Sequence, residues 1–247
     1  MSKLTIITGG GRGIGAATAL CLARAGHDLV LAYRSRPDAA GEVAERAREL
    51  GVRCQPVRAD VGVESDVESL FAAAGELGVV TGLVNNAGLT AHIADLADTP
   101  VPAIRTVLEV NLLGTILCCR RAAQVMSTGR GGAGGAIVNI SSSGATLGSP
   151  HEYVHYAAAK AGVDALTMGL SKELAAEGVR VNAVAPGLVH SDIHAGAGVP
   201  DRATTAASRV PFGRAGEPEE IGPAVEWLLS ERASYTSGAV LRVAGGL

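Results

Sequence analysis

A short apolar run, Leu4–Thr8, breaks directly into Thr8-Gly-Gly-Gly-Arg-Gly-Ile-Gly15, and an alanine-rich amphipathic stretch follows from about Arg12 to Ala25. A strand that ends in glycines and reopens as a helix has few three-dimensional solutions. The glycines reach backbone angles closed to other residues. The new helix turns its unpaired N–H groups and the positive end of its dipole toward the loop. The same rhythm recurs along the chain. Apolar runs at Leu29–Tyr33, Cys54–Val57, Gly82–Asn85, Gly135–Ile140, Val179–Ala185 and Val240–Val243 predict strands. Segments at about Ala39–Leu50, Glu64–Leu77, Val101–Met126, Tyr153–Ala176 and Glu217–Leu229 predict helices.

This alternation predicts an α/β fold, a single Rossmann-type doubly wound parallel sheet flanked by helices on both faces. Its ligand belongs beyond the carboxyl ends of the strands. A length of 247 residues suits one domain, 1–247, and no composition shift marks a boundary inside it. Glycine contributes 33 residues without a three-residue period, which fits many tight turns and excludes collagen. Two stretches break the rhythm: the glycine-rich loop Ser127–Gly135, and Leu188–Arg214, a long stretch after a strand end. Long loops in that place act as lids or binding loops, so 188–214 is expected to cover a substrate.

Other partners are argued against by charge and cysteine usage. A net charge of −3 without basic runs speaks against nucleic acid. Cys21, Cys54, Cys118 and Cys119 form no C-x-x-C pair, and no His cluster has metal-ligand spacing, so no metal is expected. The first residues enter a strand too soon for a signal peptide. No apolar stretch is read as reaching the roughly 20 residues of a membrane helix. The expectation is a cytoplasmic, soluble protein.

Three places build a nucleotide site. In the first loop, Gly9, Arg12, Gly13, Ile14 and Gly15 would let the backbone approach a pyrophosphate at the helix N-terminus. At the end of the second strand, a carboxylate would hold the ribose hydroxyls of NAD(H) and repel a 2′-phosphate. Here stand Arg34 and Ser35 instead, with no acid before Asp38. Arg34 could pair with a phosphate, so NADP(H) is preferred; the alternative is a solvated edge that takes NAD(H) as well. After the third strand, Asp60 could reach an adenine amino group while Val61 packs on the ring.

The chemistry is carried by Tyr156 and Lys160, one helical turn apart on one face. A neighbouring cation favours the phenolate, as proton exchange with an alcohol requires. An isolated Y-x-x-x-K is usually a surface pair. Here a predicted strand ends in Ile140-Ser-Ser-Ser143 just upstream, where a hydroxyl could meet a substrate oxygen.

Together these motifs resemble the short-chain dehydrogenase/reductase family over essentially the whole chain. The family's T-G-x-x-x-G-x-G is met at Thr8, Gly9, Gly13 and Gly15, and its N-N-A-G at Asn85, Asn86, Ala87 and Gly88. Its helix asparagine matches Asn111, and its P-G-x-x-x-T matches Pro186 to Ser191 with serine for threonine. The resemblance implies that Tyr156 is the general acid/base, that Ser142 polarises the carbonyl, and that Lys160 lowers the Tyr156 pKa and holds the nicotinamide ribose. It implies that Asn111 anchors a water of a proton relay and that Val189 and Ser191 touch the nicotinamide end. Ser142 stands fourteen residues before Tyr156, one more than the usual spacing, which would select Ser143. Ala244 stands where many members have aspartate.

The implied activity is NADP(H)-dependent interconversion of a carbonyl and a secondary alcohol, on a small ketone, 3-oxoacyl or sugar-type substrate. Glucose 1-dehydrogenase-like and 3-oxoacyl-thioester-reductase-like members are the most similar in pattern. The alternative is a catalytically silent NADP(H)-binding sensor or scaffold. The resemblance also implies a homotetramer or homodimer pairing the two long helices. His151, Glu152, His155, His190 and His194 flank Tyr156 or lie in the 188–214 stretch and are candidates for the pocket wall, and Arg202, Arg209 and Arg214 for a basic patch at its mouth.

Overall fold

The computed structural model describes residues 3–191, 193, 198–199 and 201–247. His194 lies outside them. Strands β1 (Lys3–Thr8), β2 (His27–Tyr33), β3 (Cys54–Arg58), β4 (Val80–Asn85), β5 (Gly135–Ile140), β6 (Val179–Pro186) and β7 (Val240–Val243) form one seven-stranded sheet. Every pairing is parallel, in the order β3-β2-β1-β4-β5-β6-β7. The order reverses between β1 and β4, which opens a crevice at their carboxyl ends.

The connecting helices are α1 (Gly13–Arg24), α2 (Pro37–Glu49), α3 (Glu64–Leu77), α4 (Val101–Leu108), α5 (Gly114–Met126), α6 (Gly144–Leu147), α7 (Val154–Leu174), α8 (Arg202–Thr205) and α9 (Pro218–Leu229). They divide between the two faces because the strands are apolar on both. Ile7, Leu29, Leu31, Val138 and Val184 point into a core with Leu22, Val43, Ile221 and Leu228 of α1, α2 and α9. Ile6, Val30, Ile137 and Val181 of the same strands point the other way, onto Leu70, Phe71, Cys118, Cys119, Met126 and Leu174. A period of two thus feeds two cores from one sheet. Burial raises the pKa of both adjacent thiols, Cys118 and Cys119, which makes them poor nucleophiles.

Some local boundaries differ from the sequence reading. α2 starts at Pro37, whose fixed φ suits the first helical turn. The long helix from Val101 is interrupted by a π turn at Glu109–Leu113, which hydrophobic periodicity could not reveal. The four-residue helices α6 and α8 are too short to carry a period. The membrane reading also needs correction, because Val101–Met126 is long and apolar enough to cross a bilayer by length and composition alone. In this fold one of its faces lies in the core through Val107, Cys118, Cys119, Ala122 and Met126.

A buried polar chain ties α7 to the sheet. Asn85 Nδ2 donates to Asn139 Oδ1 at 2.8 Å, and Asn139 Nδ2 donates to Thr167 Oγ1 at 2.9 Å. At the amino end of the sheet, His27 is 5% exposed, and its Nδ1 lies 2.9 Å from Thr5 Oγ1. Burial, with help from Lys3, pushes its pKa from 6.5 down to about 4. The native state therefore resists protonation that the unfolded chain accepts below its ordinary pKa. Stability should fall as pH drops from about 6.5 to about 4, by at most about 3 kcal/mol from this group. Denaturant midpoints measured across that range should decline less steeply in His27→Gln.

Candidate active site

The crevice begins at the loop after β1. Gly9 and Gly13 hold φ of +64° and +51°, the left-handed region that a side chain disfavours. Gly15 serves a different need: a Cβ there would lie 2.2 Å from the Gly9 carbonyl oxygen and 2.6 Å from Asn86 Nδ2. Gly15 therefore sits beneath the loop and lets α1 start against it, whereas Gly9, Arg12, Gly13 and Ile14 line the cavity. The loop is stitched to β4. Thr8 Oγ1 accepts from the N–H groups of Asn86 and Ala87 at 2.9 and 3.0 Å. Asn86 Nδ2 donates to the carbonyls of Thr8 and Gly9, both at 3.0 Å.

This cavity, of about 430 Å³, runs from the glycine loop to the ends of β2 and β3. Arg34, Ser35, Asp60, Val61, Ala87 and Gly88 line it. Tyr33 and Arg36 line it too, and the sequence reading passed them over. Arg34 Nη1 lies 3.7 Å from Asp60 Oδ2, so the guanidinium at the end of β2 has its counter-ion at the end of β3. The groove offers a glycine cradle, a helix N-terminus, a cationic far end and an apolar floor at Ala59 and Val61. That donor set fits a dinucleotide.

A second cavity, of about 260 Å³, adjoins the first, and Ile14, Asn86, Gly88, Ser191 and Ile193 line both. Its walls include Ser142, Ser143, Tyr156, Lys160 and Val189. The carboxyl end of β5 delivers the serines. Ser142 Oγ accepts from the Gly144 N–H at 3.0 Å and lies near enough to the Tyr156 hydroxyl to pull its pKa down. Ser143 instead caps α6, its N–H donating to the Pro186 carbonyl at 2.8 Å. Of the two candidate serines, Ser142 is the one whose hydroxyl bears on Tyr156.

α7 presents Tyr156 and Lys160 one turn apart, both buried. Lys160 Nζ donates to the Ile140 carbonyl at 2.7 Å and lies 5.8 Å from the centre of the Tyr156 ring. Burial drives the Tyr156 pKa above the ordinary phenol value; the Ser142 hydrogen bond opposes this and Tyr153 reinforces it. Burial likewise pulls Lys160 down to about 8, against the opposing charge of Asp164. Desolvation penalises the charged forms of both Tyr156 and Lys160.

Asn111 sits in the π turn, fully buried, and lines neither cavity. Its Nδ2 donates to the carbonyls of Leu89 and Val107 at 2.8 and 2.9 Å, and its Oδ1 accepts from the Leu89 N–H at 3.2 Å. A Cβ at Gly88 would lie 2.7 Å from that Oδ1. Asn111 therefore fixes the backbone just beyond Gly88.

Among the acidic and histidine candidates for the pocket wall, Glu152 lines the second cavity. His151 is exposed and sits 2.8 Å from Asp95, and His190 lies 3.9 Å from Glu217 outside the cavity wall. His155 is buried within α7 and lines neither cavity. Of the basic candidates, Arg202 and Arg209 reach the wall and Arg214 pairs with Glu220. Burial works to raise the Glu152 pKa, but hydrogen bonds and charge from Arg202 and Arg209 hold it below the usual value. Tyr153 also lines this cavity, its ring edge-on to Tyr156 with centres 5.3 Å apart. An aromatic three residues before Tyr156, on the same helical face, is the signal that would have found it.

Comparison with known proteins agrees with this geometry. The family model described as enoyl-(acyl carrier protein) reductase matches residues 9–247. The uncharacterized oxidoreductase YgfF of Escherichia coli (strain K12) is 42% identical over 98% of this chain and 99% of its own. The cis-4-hydroxycyclohexanecarboxylate dehydrogenase of Sinomonas cyclohexanicum is 42% identical over 99% of this chain and 96% of its own. A crystal structure of a short-chain type dehydrogenase/reductase from Mycobacterium marinum superposes with a TM-score of 0.91 at 31% identity, covering 99% of this chain and 94% of that one. With a matching family model, relatives of equal length and the same fold, the chain belongs to the short-chain dehydrogenase/reductase family, whose members are oxidoreductases that use nicotinamide cofactors.

Proposed function

We propose that the protein is an NADP(H)-dependent oxidoreductase that interconverts a small ketone, 3-oxoacyl or sugar-type carbonyl and its secondary alcohol, acting on CH–OH groups. The observation that carries this reading is the meeting of two cavities at Gly88 and Ser191, one suited to a dinucleotide and the other lined by Ser142, Tyr156 and Lys160. The Sinomonas relative is by name a dehydrogenase of a hydroxycyclohexanecarboxylate, which suits the same class of reaction.

In this reading Gly9, Arg12, Gly13 and Ile14 hold the pyrophosphate, with Gly15 and Asn86 shaping the loop from below. Arg34 and Ser35 receive the 2′-phosphate, Asp60 and Val61 the adenine, and Ala87 and Gly88 the adenosine ribose side of the groove. Val189 and Ser191 face the nicotinamide end. When bound, the cofactor supplies or accepts a hydride. The chain's own groups handle the proton. Ser142 donates to the substrate oxygen and polarises it, and Tyr156 delivers its phenolic proton to that oxygen during reduction. Burial favours the protonated phenol, the form that reduction consumes. In oxidation the phenolate must form, and the Lys160 ammonium stabilises it while its donors reach toward the nicotinamide ribose. Asn111 supports a water relay behind Lys160 by fixing the Leu89 and Val107 carbonyls.

Assembly belongs to the same proposal. Leu108, Leu113 and Ile116 on the Val101–Met126 helix and Met168 on α7 are exposed apolar side chains. Pairing these helices between copies would cover them, giving a homodimer or homotetramer.

Three measurements check these assignments. Tyr156→Phe should keep NADPH affinity and lower carbonyl turnover by at least about a hundredfold, the scale of lost acid–base catalysis; undiminished turnover would remove Tyr156 from the mechanism. Arg34→Ala should reduce the ratio of kcat/KM for NADPH over NADH by about tenfold or more, since a charged hydrogen bond is worth about 1.5–3 kcal/mol. Light scattering should give a mass of two or four chains, and a mass of one chain would refute the assembly.

A further inference from the structure

The far wall of the second cavity carries more positive charge than the reaction above requires. Glu152 lies in the loop before α7, where its carbonyl accepts from the Ala94 N–H at 2.9 Å. Its carboxylate accepts from Arg202 Nη2 on one oxygen and from Arg209 Nη1 at 2.9 Å on the other. One guanidinium would have neutralised it. With two, this three-residue cluster carries +1, on a wall shared with Ser142 and Tyr156. Each guanidinium has five donors, and this contact occupies one nitrogen of each.

The two arginines are placed differently. The Arg202 side chain is 14% exposed, and its guanidinium carbon lies 5.4 Å from the centre of the Tyr153 ring. The Arg209 side chain is 71% exposed, at the open side. Lys160, the other cation on the cavity wall, is bonded to the Ile140 carbonyl. Leu247 also lines the cavity, and Arg242 Nη1 donates to its terminal carboxylate at 3.0 Å, which offsets that charge.

We propose that this wall recognises an acid group, a carboxylate, on the far side of the substrate from its reacting carbon. Glu152 holds the two guanidiniums as a pair, and the substrate acid takes donors that Glu152 leaves unused, above all those of Arg209. Planar forks suit a carboxylate better than a hydroxyl or an amide because they bind both oxygens at once. The stack fixes the reach: Arg202 to Tyr153 and Tyr153 to Tyr156 are steps of 5.4 and 5.3 Å. Such a span admits a compact hydroxy or oxo acid on one ring or a short chain. The inference rests on the oxidoreductase reading for the reacting end, but the acid site stands on its own contacts.

The test measures binding rather than turnover. The protein saturated with NADP⁺ is titrated calorimetrically with cyclohexanecarboxylate and, as the neutral control of equal shape, cyclohexanecarboxamide. We expect the carboxylate to bind at least about tenfold more tightly, the scale of one charge-assisted contact. Arg209→Ala should erase most of that ratio, and Arg209→Lys should restore part of it. Equal affinities, binding of neither compound, or a ratio unchanged in Arg209→Ala would overturn the proposal. A carboxylate preference without reduction of any carbonyl compound would leave the acid site standing and sink the redox reading. Turnover of neutral ketones without a carboxylate preference would do the reverse.

Discussion

Two side chains at the ends of the central strands, Thr8 and Asn86, hold the site in place. Parallel strands that diverge at a topological switch point leave their last carbonyls and N–H groups facing a cleft with no neighbouring strand to satisfy them. Thr8 Oγ1 accepts from two N–H groups just past β4, and Asn86 Nδ2 donates to the carbonyls of Thr8 and Gly9 at the end of β1. The exchange is reciprocal, so neither loop can move without stranding the polar groups of the other. On it depends the curvature of the glycine loop, and through Gly15 the angle at which α1 leaves the sheet.

The second half of the site is anchored by buried amides. Asn85, Asn139 and Thr167 join β4, β5 and α7, and Asn111 joins the π turn to the segment after Gly88. Amides buried in an apolar core are costly when unbonded, so Asn139 and Asn111, each bonded through both its oxygen and its nitrogen, tolerate essentially one arrangement of their neighbours. That intolerance sets the position of α7, and with it the distance between Tyr156, Ser142 and Lys160. An all-aliphatic packing between α7 and the sheet could slide; this one cannot without losing its hydrogen bonds.

Much of this was legible in the sequence. Alternating apolar runs specify a parallel sheet covered on both faces, because only such strands are apolar on both sides. The glycine loop and the Tyr156–Lys160 spacing are local patterns with local geometry, and their elements form where expected. The π turn escaped, since Val107, Leu108, Val110, Leu112, Leu113, Ile116 and Leu117 make the helix apolar on several sides and hide the phase slip of one extra residue. The Glu152 cluster was half visible: its three residues were each named, but their meeting joins positions some fifty residues apart, which no local pattern records. The burial of Tyr156 was hidden for a related reason: spacing shows the neighbouring cation, whereas the desolvation that raises the phenol pKa emerges only from the packed fold.

The π turn also has a consequence for how this chain can change over generations. The wider turn at Glu109–Leu113 takes up one residue more than a regular turn, so the helix beyond it keeps its phase. Straightening this segment at the same length would turn everything downstream by about 100°, moving Cys119 to the exposed angle of Arg120 and Arg121 to the buried angle of Ala122. The bulge that positions Asn111 is thereby held by residues that never touch the site. Substitutions can accumulate along this helix one at a time, but a deletion inside Glu109–Leu113 would keep the core in phase and remove the bulge that holds Asn111.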